Sequence, residues 1–230
     1  MKTAHHYCRI YVADVTPLAS SALFHRFYMQ MPASRREKID RIRFAEGKQL
    51  SLGAGALLNL ALRSAGIEGP SANFAEGPHG KPFLRDRPDI FFSLSHSGRR
   101  VLCVLSDLVC GGDVEQIGRG SPALARRFFT DEESAALAAE ASAGGEEAFQ
   151  RLFARIWTRK ESLLKATGDG LFRPLSSFSV LSPDPDVLFL EAAPEKKYAS
   201  CVCLLRNCQQ TEWPRAEWIP ISLDETFPAL

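Results

Sequence analysis

Neither a zinc-type cysteine cluster nor a glycine loop for nucleotides occurs in these 230 residues. The six cysteines (Cys8, Cys103, Cys110, Cys201, Cys203 and Cys208) form no CxxC pair. Most sit in apolar runs such as VLCVL and SCVCLL, where cysteine serves as a small hydrophobe. A disulfide scaffold and a zinc site of the usual spacing are thereby excluded. There is no GxxxxGK[ST] and no GxGxxG on a strand-to-helix turn, so P-loop and dinucleotide sites find no support. SLSHSG lacks the GxSxG pattern of a hydrolase elbow. Helix-borne nucleic-acid motifs are missing, and the aromatics do not interleave with the basic runs. No apolar stretch approaches the roughly 20 residues that span a bilayer, and no signal-peptide apolar region opens the chain. A reducing, cytoplasmic setting is expected, with neither nucleic acid nor membrane as partner.

Net charge is nearly absent as well: the formal value is +1, which argues for no particular polyanion. Local balance says more. Arg35, Arg36, Lys38, Arg41, Arg43 and Lys48 face only Glu37, Asp40 and Glu46, and a second basic group holds Lys81, Arg85, Arg87, Arg99 and Arg100. With 45% hydrophobic and 24% charged residues the composition is that of a folded globular protein. The length suits one sizeable domain or two small ones.

Along the chain, HHYCRIYVAD reads as a strand and Leu18–Met31 is apolar at helical spacing. Ser34 with Glu37 predicts a capped helix through Ile39, Ile42 and Phe44. LSLGAGALLNLALRSAG predicts another, stopped at Gly66. Turn and strand signals follow in GPHGKP, DIFFSLSHS and RRVLCVLSD. The second half repeats that order. Ser121-Pro122 caps a helix to Phe129, Thr130 with Glu133 opens the next, and ASAGG separates it from a long helix over about 146–167. SSFSVLS, VLFLEAA, YASCVCLLR and AEWIPIS read as strands. Helices then strands, twice, predicts an α+β protein of two similar halves, 1–110 and 111–230, with a seam near Asp107–Gly112. No residue-level repeat supports the duplication.

The chemistry concentrates in two segments. In GGDVE, Asp113 and Glu115 alternate and leave the same face of a strand. In WTRKESLLKATGDGL, Trp157, Glu161 and Lys165 recur every four residues on a helix ending at Gly168. Three carboxylates and a lysine that can converge suit a divalent cation holding a phosphorylated substrate. Each piece also has a structural reading. Glu161–Lys165 could be an exposed helical ion pair, Lys160 a lysine whose stem snorkels from an apolar arc, and GGDVE a solvated strand face. Gly77-Pro78 and Gly80-Lys81-Pro82 are turn chemistry first. Ser93, Ser95 and Ser97 alternate along a strand with His96 on the opposite side. A hydroxyl, an imidazole and Lys81 together would form a phosphate pocket.

The order GKP, then an apolar strand ending in SHS, then GxDxE, then WxxKExxxKxxGxGL resembles the 4′-phosphopantetheinyl transferases of the large, surfactin-synthetase-activating (Sfp) type. The likeness runs from RREK at Arg35 to Leu171, and loosely through FSV at Phe178. It implies a pseudo-symmetric monomer of two α+β halves with coenzyme A between them. The implied reaction is Mg²⁺-dependent transfer of phosphopantetheine from coenzyme A to a serine of an apo acyl or peptidyl carrier protein, of fatty-acid or polyketide and nonribosomal peptide assembly, releasing adenosine 3′,5′-bisphosphate. Position by position, Asp113, Glu115 and Glu161 would hold the metal, Lys165 would contact the phosphates, and Lys160 would help close that catalytic site. Lys81 and His96 would grip the 3′-phosphate with Arg35 and Lys38 alongside. Ser95 would lie nearby, and Ser51 would approach the adenine. Two departures stand out: the family usually has an aliphatic residue at Gly112, which loosens the strand expectation there, and asparagine is common at Ser93. Glu161 is the foremost acceptor for the serine proton, with Glu115 and water as alternatives. The basic surfaces at Arg35–Lys48 and Arg126-Arg127 would suit an acidic carrier.

Overall fold

A computed structural model describes residues 6–68, 72–206, 210 and 212–227, apart from the Leu171 side chain. The first half runs β1 (Tyr7–Asp14), α1 (Ser21–Met29), α2 (Ala33–Asp40), α3 (Ala45–Ser64), β2 (Phe74–Glu76), β3 (Pro82–Leu84), β4 (Phe91–Ser97) and β5 (Arg100–Ser106). The second continues with β6 (Val109–Gln116), α4 (Pro122–Phe128), α5 (Asp131–Thr167), β7 (Val187–Glu191), β8 (Tyr198–Leu205) and β9 (Arg215–Ile221). Two main sheets result, ordered β4-β5-β1-β9 and β6-β8-β7, with β2-β3 a separate hairpin. The α+β class is as expected.

Alternation along the strands sets the layering. On the first sheet Tyr11, Ala13, Val101, Cys103 and Leu105 pack with Leu57, Ala61 and Leu62 of α3. The other face, with Ile10, Leu102 and Val104, packs against Cys110, Val114, Val202 and Leu204 of the second sheet. On the far side of that sheet Cys203 packs with Leu163 and Ala166 of α5. The order is therefore helix, sheet, sheet, helix. Gly111 and Gly112 lie at the tightest point. A Cβ on Gly111 would stand 2.0 Å from the Ser162 carbonyl oxygen of α5, and one on Gly112 would stand 2.5 Å from Val104 Cγ2. The missing aliphatic side chain at Gly112 is thus made up by Leu102 and Val104 from the facing sheet. β6 stays paired to β8 throughout, Gly112 opposite Val202.

Several boundaries differ from the sequence reading. α2 begins at Ala33 behind Pro32, and Ser34 makes no cap bond, because the fixed φ of Pro32 already sets the helix entry. α3 starts at Ala45, one turn earlier than its apolar run. Thr130 and Glu133 do form a capping box, Ser121 accepts from Leu124 N, and Gly168 ends α5 in the left-handed region. The ASAGG break is present: α5 is two helical segments joined at the non-helical Gly145 (φ 68°, ψ −162°), folded back so that Glu133 meets Lys160. SSFSVLS is not a strand: Leu175–Ser177 is a single 3-10 turn. Its backbone polar groups bond to buried side chains instead, Leu175 O and Phe178 O accepting from Lys160 and Val180 N donating to Glu133. The expected 111–230 half also loses its last strand. β9 pairs in parallel with β1 of the first sheet, and Leu223 and Phe227 enter the core around α3. The apolar edge of β1 is covered that way.

Candidate active site

A cleft of about 620 Å³ opens between α2 and α3, the β2–β3 hairpin, β4, and the C-terminal turns of α5. Glu161 and Lys165 line one side, Arg35 and Lys38 the other, and Lys81 and His79 reach in from the hairpin. The helical interval brings Glu161 and Lys165 to one face. β6 delivers Asp113 and Glu115 beside them, because Gly111 lets that strand lie directly on α5.

Asp113 is buried at 6% exposure. Its Oδ1 accepts from Lys165 Nζ and from Ser95 Oγ, each at 2.7 Å, whereas Oδ2 is buried without a hydrogen-bond partner. Lys165 also donates to Gly112 O at 3.2 Å and stands 3.0 Å from Ser95 Oγ. Glu115 pairs with Arg119 at 3.3 Å. Burial holds its carboxyl above the usual range and Asp113 adds to that, while Arg119 and the Ser97 hydroxyl pull it back. Glu161 has no hydrogen-bond or ion-pair partner among the described residues. Burial pushes its pKa up, Asp113 and Glu115 push the same way, and Lys165 opposes. The three acids thus feel one another's charge. Among the described residues they do not close into a ready-made metal cage.

Across the cleft, Arg35 and Lys38 likewise have no hydrogen-bonded or ion-paired partner among the described residues. Burial draws the Arg35 pKa down. An unpaired, partly desolvated guanidinium is a standing site for an anion. His96 is exposed, on the same strand face as Phe92 and Leu94 of the cleft wall. Partial burial, then the charges of Lys165 and Lys38, hold its pKa down against the pull of Asp113. Lys81 lines the cleft, but its ammonium donates to Cys110 O at 3.1 Å and Ala166 O at 2.8 Å. Two of its three N–H groups therefore tie the hairpin to the second half, and burial lowers its pKa.

Three expected site residues stand elsewhere. Lys160 is 0% exposed and ion-paired to Glu133, itself 0% exposed, at 2.8 Å. Its ammonium also donates to Leu175 O and Phe178 O, away from the other acids. Lysine in the apolar arc of α5 therefore meets a buried anion rather than closing the cleft. Ser51 is buried with an unpartnered hydroxyl, one helical turn from Gly55 of the cleft wall. Ser95 turns inward to Asp113, and, like Asp113, Glu115 and His96, it borders the cleft without lining it. The sequence reading missed Glu133, whose capping-box role was visible but whose partner was not. It also missed Asn59, a buried polar side chain on the cleft wall, and Arg119 at Glu115. A second groove, about 660 Å³ beside α5, contrasts with the cleft: its Arg155 and Glu191 pair with each other at 3.0 Å.

Known proteins bear on this geometry. The family model of the 4′-phosphopantetheinyl transferase superfamily matches residues 109–214. The chain is 32% identical to a 4′-phosphopantetheinyl transferase of Bacillus subtilis over 72% of its own length and 73% of that protein. It is 33% identical to 4′-phosphopantetheinyl transferase Sfp of Bacillus subtilis (strain 168), over 67% of this chain and 68% of the relative. With 4′-phosphopantetheinyl transferase HetI of Nostoc sp. (strain PCC 7120) the identity is 32%, over 68% and 67%. Motif order, paired sheets, a cleft with Glu161 and Lys165 on one wall and Arg35 and Lys38 on the other, and these relatives converge: the chain belongs to the 4′-phosphopantetheinyl transferase superfamily of enzymes.

Proposed function

We propose that this enzyme transfers the 4′-phosphopantetheine group of coenzyme A to a serine of an apo acyl or peptidyl carrier protein, with Mg²⁺, releasing adenosine 3′,5′-bisphosphate. One observation carries the reading. Glu161 and Lys165 line one wall of a single cleft, with the partnerless Asp113 Oδ2 buried behind Lys165, and Arg35 and Lys38, without hydrogen-bonded or ion-paired partners among the described residues, line the other. Such a pairing suits a ligand that is an anion at one end and takes a metal at the other.

The donor set fits Mg²⁺. A hard cation is satisfied by one or two carboxylates plus phosphate oxygens and water, so no closed protein cage is needed. Asp113 and Glu161 would hold it, with Glu115 once Arg119 yields. When bound, the ion would neutralise charge on the diphosphate. The remaining steps belong to the chain. Arg35 and Lys38 bind the 3′-phosphate, with His96 at the exposed end of β4, close enough to feel the charge of Lys38. The third N–H of Lys81 is the one left for that anion. Lys165, held between Asp113 and the cleft, supplies positive charge to the diphosphate of coenzyme A, where charge builds on the departing 5′-phosphate. Glu161, on the cleft wall and without a partner among the described residues, is the carboxylate placed to take the serine proton. In this reading Lys160 acts only by holding the helix that carries Glu161, and the buried thiols accord with a cytoplasmic setting. Likeness of connectivity between β4-β5-β1 and β7-β8-β6 supports two related halves.

The test is direct. The protein is incubated with coenzyme A, Mg²⁺ and an apo-carrier, and the carrier is weighed by mass spectrometry. Gain of one phosphopantetheine is expected, and its loss in Asp113→Ala or with a chelator. An unmodified carrier in the presence of bound coenzyme A would leave only a binding module, and hydrolysed coenzyme A would mark a phosphohydrolase.

A further inference from the structure

β4 and β6 belong to different sheets, and β6 is an edge strand. Its free edge is closed by side chains. Ser93, Ser95 and Ser97 accept from the backbone N–H groups of Gly112, Val114 and Gln116 at 3.0, 3.3 and 3.1 Å. The alternation seen in SLSHS thus supplies three hydroxyls in register with the outward donors of β6.

The middle rung carries more. Ser95 Oγ also donates to Asp113 Oδ1 at 2.7 Å and lies 3.0 Å from Lys165 Nζ. A hydroxyl has one hydrogen and two lone pairs. Val114 N–H and the Lys165 ammonium are donors only, so they occupy the lone pairs. The single hydrogen is then committed to Asp113 Oδ1, and rotating it away would break the arrangement. Ser95 is 7% exposed and Asp113 6%, so the pair is shut off from solvent. Of the two carboxylate oxygens, Oδ1 has two partners and Oδ2 has none.

We propose that Ser95 is a positioning residue for Asp113 and not a contact of coenzyme A: its hydroxyl fixes Oδ1 and leaves Oδ2 as the donor atom for a cation. The inference rests on the reading of Asp113 as a metal-holding carboxylate. It differs from what the family likeness implies, which sets Ser95 beside the 3′-phosphate. Hydrogen-bond partners of ligating carboxylates orient them, and their removal lowers metal affinity about 10–100-fold.

Mn²⁺ is titrated into the complex with coenzyme A and followed by electron paramagnetic resonance, with no carrier present. Ser95→Ala is expected to weaken Mn²⁺ binding about 10–100-fold, while the preference for coenzyme A over its 3′-dephospho form is unchanged. Ser95→Thr, which keeps the hydroxyl, should restore metal affinity. Ser93→Ala removes a rung of the same kind without a carboxylate and should bind Mn²⁺ as wild type does. If Ser95→Ala does not fold, Ser95→Cys, nearly isosteric with a weak donor, carries the same expectation. Unchanged Mn²⁺ affinity together with a lost 3′-phosphate preference would make Ser95 a coenzyme contact and overturn the proposal. Equal losses in the Ser93 and Ser95 variants would reduce it to ladder strength. Full Mn²⁺ binding by Asp113→Ala would sink the metal reading itself, and this proposal with it.

Discussion

Two lysine–carboxylate pairs have their lysines five residues apart on α5, and they could hardly differ more. Lys160 and Glu133 are both 0% exposed, and every polar atom has somewhere to go. The lysine bonds to Glu133, Leu175 O and Phe178 O; the glutamate also accepts from Thr130 N and Val180 N. Lys165 lines the cleft and Asp113 lies behind it, with 30% and 8% side-chain exposure and one carboxylate oxygen left without a partner. A buried ion pair with its valence fully used stabilises one arrangement of the chain. The sealed pair pins the start of α5 and the 175–180 segment to the part of α5 that follows Gly145. A pair with valence left over is poised for a ligand, which is why the second reads as chemistry and the first as architecture.

The comparison breaks most sharply at Lys160. Lys160→Met leaves Glu133 charged and buried, so unfolding free energy should fall by about 3–5 kcal/mol. The folded fraction should keep most of its transfer rate. Adding Glu133→Leu should recover much of the loss, since both charges then leave together, as urea titration of the two variants would reveal. A stable but inactive Lys160→Met would return that lysine to the catalytic set. Glu161→Ala offers the opposite profile, with transfer down about 10²–10³-fold, the scale of one lost preorganised charge contact, and a melting temperature near wild type. Steady-state kinetics beside calorimetry separates the two profiles.

Smaller effects sharpen the cleft's cationic wall. Hydrogen bonds to charged groups contribute about 1.5–3 kcal/mol each, so losing two should weaken binding of 3′-dephospho-coenzyme A by roughly two orders of magnitude. Arg35→Ala should narrow that gap more than Lys81→Ala, because Arg35 has no partner among the described residues and Lys81 already holds two carbonyls. Isothermal titration with both ligands decides it, and equal affinities for them would remove the phosphate site. The smallest effect concerns Arg126 and Arg127, exposed on α4. Reversing both to glutamate should raise KM for an acidic apo-carrier a few-fold at low salt and leave coenzyme A affinity alone. A KM and salt dependence equal to wild type would move the docking surface to the Arg35–Lys48 stretch.

Periodicity and caps were legible in advance because they are local. The Thr130–Glu133 box, the Gly168 stop and the four-residue spacing of Glu161 and Lys165 need only neighbouring residues. The 175–182 segment was misread for a physical reason: β-propensity is weak beside a buried charge that needs carbonyls, and Lys160 claimed them. Ser34 was a good cap residue placed behind a proline that made it redundant. β9 could not be placed from its own residues, since an amphipathic strand does not say which sheet edge is open.

The sequence by itself determined the reagents: three acids, their strand and helix spacing, a basic segment near Arg35, and the motif order that marks the superfamily. These depend on residue type and on periods of two and nearly four. Only the tertiary structure decided which charges were already spent. Lys160 lies one position from Glu161, yet its ammonium faces Glu133 from 27 residues away. Ser95 lies one position from His96, yet its hydroxyl faces Asp113. Successive side chains on a helix turn by about 100°, and on a strand they point to opposite faces. Adjacency in sequence therefore says little about shared chemistry until the packing of β4, β6 and α5 fixes what each side chain meets.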